Sequence, residues 1–115
     1  MAQAVIELLM LKYSEKGAAA VVREGLVSRR EAVAKAASAV GGRIVGFWAT
    51  DQGEWDAVFV LETPGEVDQA GGVGLNLRGQ ASGTWERIQR VRLYNPEDVD
   101  ATLQVADTFR YAGQQ

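Results

Sequence analysis

The chain has 115 residues, of which 47% are hydrophobic and 23% charged, and its formal net charge is −3. That length holds one core, so residues 1–115 read as a single domain, and the composition is that of a folded globular chain. Cysteine and histidine are both absent, which excludes disulfides, thiolate nucleophiles, zinc–sulfur sites, and the commonest general base and metal ligand.

A metal would have to be held by oxygens alone, and the sequence implies neither a metal nor a cofactor. The basic residues are scattered through the chain, whereas duplex binding needs a clustered positive surface, so no nucleic-acid partner is expected. The opening "MAQAVIELLMLKY" lacks a basic front and a small-residue cleavage site, and it is far shorter than the ~20 residues of a membrane span. It reads as the first strand of a cytoplasmic protein with no membrane partner.

From Ala4 to Tyr13 the residues are aliphatic with little polarity, the pattern of a central strand covered on both faces. Ser14 is placed to cap a helical turn over residues 17–24, and Gly25 marks a bend. "SRRE", Ser28 to Glu31, has capping-box spacing and predicts a main helix from Ser28 to Val40. Val33, Ala36, Ala37 and Val40 give that helix one apolar stripe. Gly41 and Gly42 end it, because glycine readily takes the left-handed cap.

Residues 43–51 and 55–63 predict a hairpin turning near Gly53, and Pro64 and Gly65 stop its second strand. "GEVDQAGGVGLNLRGQASG" is rich in glycine but carries Val67, Ala70, Val73, Leu75 and Leu77, so it reads as a second helix held by packing more than by propensity. Its "GGVGLNLRG" lacks the Gly-Lys-Ser/Thr of a phosphate loop and misses the dinucleotide fingerprint. Residues 84–94 predict a strand. Asn95, Pro96 and the acids after them begin a last helix, with Val99, Leu103, Ala106 and Phe109 as a stripe that should dock on its own sheet or on a neighbour's. The order is that of a ferredoxin-like βαββαβ sandwich of the α+β class: a four-stranded antiparallel sheet with helices on one face, plus a C-terminal helix.

Within this frame "GEWDAVFVLETP" resembles the GYD domain family, whose hallmark is a Gly-x-Tyr-Asp turn, an apolar strand and Glu-x-Pro. The matching residues are Gly53, Trp55, Asp56, Glu62 and Pro64. "LLMLKYSEKG", "GGRIVGFWAT" and "ASGTWERIQRVRLYNPED" are similar to the family's opening strand, second strand and exit, so the likeness spans residues 5–98. Trp55 stands where the family has tyrosine, the preceding turn is longer, and the second helix is richer in glycine. The resemblance implies a ferredoxin-like fold that associates through its sheets in the manner of dimeric α/β barrels. It implies no activity.

Alternation in the 55–62 strand places Trp55, Ala57, Phe59 and Leu61 under the helices, and Asp56, Val58, Val60 and Glu62 on the open face. In the first strand, Ile6, Leu8 and Met10 make the matching helix-side set, which leaves Glu7, Leu9, Leu11 and Tyr13 facing out. The last strand has no clean face. Packing Val91 and Leu93 under the helices sends Arg90 and Arg92 to the open side.

An apolar, nearly charge-balanced open face has several uses. Its charges can order two sheets against each other, or a desolvated acid can transfer protons. The leading expectation is a homo-oligomeric, sensor-like binding protein with a small-molecule pocket at the open face. Glu7, Tyr13, Trp48, Trp55, Asp56, Arg90 and Arg92 are its candidate ligand-binding residues, for a small apolar or aromatic ligand. The alternatives are a cofactor-free isomerase, cyclase or monooxygenase of the dimeric α/β-barrel type, and a purely structural assembly protein. Trp85 is a further aromatic able to stack a flat ligand.

Overall fold

A computed structural model of the chain describes residues 4–51, 53–65, 77–79 and 81–113, with side chains as far as residue 105. The elements are β1 (Val5–Tyr13), α1 (Glu15–Glu24), α2 (Leu26–Ala39), β2 (Arg43–Ala49), β3 (Ala57–Thr63), β4 (Trp85–Leu93) and α3 (Pro96–Gly113). A short helical segment at residues 77–79 precedes β4. The predicted second helix falls mostly outside the described residues, Val67, Ala70, Val73 and Leu75 with it. The four strands pair antiparallel in the order β2-β3-β1-β4, which is the ferredoxin-like α+β arrangement.

Local chemistry explains the breaks. The Ser14 hydroxyl accepts from the Gly17 amide at 3.0 Å and so caps α1, as its position predicts. Gly25 has φ 90, a value side chains rarely adopt, and it turns the chain sharply from α1 into α2. The capping box at Ser28 does not form. Helix α2 already begins at Leu26, with Gly25 at its cap position and no side-chain cap, so Ser28 lies inside the first turn. The stripe of α2 falls as predicted: Ala37 belongs to the buried core and Val33 packs against it.

Register decides the faces, because directly opposite residues on paired strands share one face. Leu9 lies opposite Phe59 and Leu11 opposite Ala57, and Leu9, Leu11, Phe59 and Leu61 form the core with Ala37. The odd-numbered set of β1 therefore lies beneath the helices, the reverse of the phase expected for that strand. Glu7 and Tyr13 go with it. In β4, Ile88 and Arg90 lie opposite Leu11 and Leu9, and Arg92 opposite Glu7, so these too are on the helix side.

Val91 and Leu93 sit opposite Leu8 and Ile6 on the open face. The expectation of Arg90 and Arg92 on that face is thereby corrected. The physical reason is that β1 is apolar on both sides, so its own alternation carries no phase; the phase comes from pairing with β3.

Among the described residues the last helix does not dock on its own sheet. Val99, Leu103 and Val105 are 44%, 58% and 56% exposed, and no described strand or helix packs extensively on α3. Ala106 and Phe109 lie beyond the described side chains. Among the described residues no helix is long and apolar enough to cross a membrane.

A candidate ligand cavity beneath helix α2

The space between α2 and the sheet holds a cavity of about 290 Å³. Its floor is Leu9, Phe59, Leu61 and Ile88 from the sheet, and its roof is Ala32, Val33, Ala36 and Ala37 from α2. The small roof residues explain the space, since alanines at helical spacing cannot reach the floor as leucines would. Trp85 closes one side, where it packs so closely on Gly79 that a Cβ there would lie 2.3 Å from its ring.

Polar groups gather along the rim. Tyr13, Arg29, Arg78, Ser82, Thr84 and Arg90 all contribute to the wall, and among the described residues no carboxylate does. Arg90 is neutralised from outside the cavity: its Nε and Nη2 donate to both Glu7 carboxylate oxygens at 2.9–3.1 Å, a half-buried forked pair. Arg29 pairs through Nη2 with Glu24, but its Nε is buried and has no hydrogen-bond partner among the described residues. Burial pushes the Tyr13 phenol above its ordinary value of 10.0; the Arg29 guanidinium opposes that shift and the Asp56 carboxylate adds to it. The phenol therefore stays protonated near neutral pH and serves as a donor.

Of the residues singled out from the sequence, Tyr13, Trp85 and Arg90 line the cavity, and Glu7 stands behind Arg90. The others lie elsewhere. Asp56 is committed to the backbone: its Oδ2 accepts from the Tyr13 amide at 2.9 Å, its Oδ1 lies 3.4 Å from Lys12 Nζ, and its own amide donates to the Leu11 carbonyl at 2.8 Å. It anchors the end of β1. The Trp55 ring carries the Arg87 guanidinium, 4.6 Å from its centroid, and Arg92 lies 5.2 Å from the Tyr94 ring centroid. Trp48 is 52% exposed on the open face.

This cavity lies on the helix side of the sheet and not at the open face, where a pocket was expected. Arg29 and Ser82 were not among the candidate site residues, and Ala36 and Ala37 were read only as the packing stripe of α2. The one available signal was an unusually small apolar stripe on α2, which alternation arguments confined to the strands could not use.

No curated protein matches the chain. The model of the GYD domain matches residues 8–103, a span that runs from the core of β1 into α3 and takes in every wall of the cavity. The chain belongs to the GYD domain family.

Proposed function

We propose that the protein binds a small molecule in the cavity beneath α2 and associates with further copies through its open sheet face. The carrying observation is the cavity itself, which is apolar on floor and roof and rimmed by hydrogen-bond donors. That is the usual construction of a binding site, at the small end of the ~300–1,000 Å³ that such sites span. The volume suits a ligand of one or two rings better than an extended cofactor.

Binding is preferred over proton-transfer catalysis because the described walls offer donors and no base. The Tyr13 phenol is held protonated by burial, and the described acids beside the wall, Glu7, Glu24 and Asp56, are occupied by Arg90, by Arg29 and by the end of β1. Self-association is supported by Leu8, Met10, Val58 and Val60, which sit together at the centre of the open face beside the exposed Trp48. Soluble chains rarely leave such a patch uncovered.

Native mass spectrometry of the protein as purified, alongside Ala36→Trp, tests the cavity. A ligand mass present in the wild type and lost in the variant supports binding. No ligand mass, together with a raised melting temperature in Ala36→Trp, would show that the space is only a packing defect that the indole repairs.

A further inference from the structure

Resting on the reading of the cavity as a binding site, we propose that its ligand is an apolar acid: a ring or branched hydrocarbon body carrying one carboxylate, which is received by Arg29. Among the described residues the wall's charge is one-sided: three arginines line it and no carboxylate does. Arg90 is already neutralised by a forked pair with Glu7. Arg29 is only partly neutralised, since Glu24 engages its Nη2 and leaves Nε buried without a partner among the described residues.

A buried guanidinium N–H with no acceptor is costly, and the cost is recovered only when an acceptor arrives. A carboxylate meets the need better than a neutral oxygen, because a hydrogen bond with charge on both partners is the stronger kind. Tyr13 lies close enough to Arg29 for the two to interact electrostatically, so a second donor stands near the same position. The remainder of the ligand has to be apolar, because Leu9, Phe59, Leu61, Ile88 and the α2 alanines offer it no polar partner. A free phosphate or a polar metabolite would leave that floor unfilled, whereas a neutral hydrocarbon would leave Nε unsatisfied.

The test is isothermal titration of the full chain with 2-naphthoate and with its neutral match, naphthalene-2-carboxamide. The wild type is expected to bind the carboxylate at least tenfold more tightly. Arg29→Gln should remove that preference, and Ala36→Trp should remove binding of both probes. Arg29→Lys keeps the charge but not the Nε–H; because it remains folded more readily, it gives a second reading, with the preference reduced. Equal binding of the two probes, both lost in Ala36→Trp, would overturn the acid while leaving the cavity as a binding site. Binding of neither probe to the wild type would overturn both.

Discussion

Tyr13 is where strand, cavity and turn meet. Its ring lies on the helix side of the sheet, its amide is held by Asp56, and its phenol is raised above 10.0 chiefly by burial. A group whose folded value exceeds its unfolded value adds stability below the unfolded value and loses it as pH rises through the folded one. Alkaline unfolding should therefore steepen above about pH 10, and Tyr13→Phe should flatten that limb while leaving stability at pH 7 to 9 nearly unchanged. Urea midpoints measured across pH 8 to 11.5 check this, and identical profiles for the two proteins would contradict it.

Asp56 yields a different expectation. Asp56→Ala removes the acceptor of the Tyr13 amide and should cost about 1 kcal/mol, discounted because the Lys12 pair is partly exposed. Ligand affinity should be little altered, since Asp56 does not line the cavity. A large loss of affinity at unchanged stability would return Asp56 to the site.

At the scale of elements, most boundaries were legible because glycine, proline and serine punctuate the chain. The bend at Gly25, the left-handed Gly41 and the turn at Gly53 all lie where positive φ is needed. What could not be read was register. The Glu7–Arg90 pair joins residues 83 apart, and neither residue's own strand has an alternation clean enough to reveal it. The start of α2 was misplaced for a related reason: a sharp glycine turn straight from one helix into the next removes the need for the Ser28 cap.

Gly17 shows how tightly α1 is seated. It is buried, and a Cβ on it would lie 2.0 Å from the Thr84 carbonyl oxygen. Beside it the Ser14 amide donates to that same oxygen at 3.0 Å, and the Ser14 hydroxyl reaches the Gly83 and Thr84 carbonyls. Alanine would gain helix propensity worth up to about 1 kcal/mol. It would also force apart two backbones that cannot yield as a side chain can, at about 1–3 kcal/mol. Gly17→Ala should therefore destabilise on balance, and thermal unfolding will show it. A stabilised variant would mean that α1 lies further from β4.

For the molecule as a whole, the open face is the surface that no described helix covers. Ile6, Leu8, Met10, Val58, Val60, Val91 and Leu93 are presented there by three adjacent strands, with Trp48 on the fourth lying across Gly46. Ion pairs stand at its ends, Arg43 with Glu62 at 2.9 Å and Lys12 with Asp56 at 3.4 Å. Four strands about 4.8 Å apart and seven to nine residues long give a flat area on the order of 500 Å² before side-chain relief. That approaches the ~800 Å² per partner of an ordinary stable interface, and an apolar centre with charges at the margin is the usual interface anatomy. Sedimentation velocity at micromolar concentration should therefore show a dimer or a larger symmetric assembly. Val60 lies centrally, opposite Leu8 and Gly46, so Val60→Lys sets an unpaired ammonium against its own copy across a closed interface. In the monomer the same side chain can reach water, so the fold should survive. The expected result is a folded, monomeric variant with native circular dichroism; a folded variant that still sediments as the wild-type assembly would show that the copies meet elsewhere.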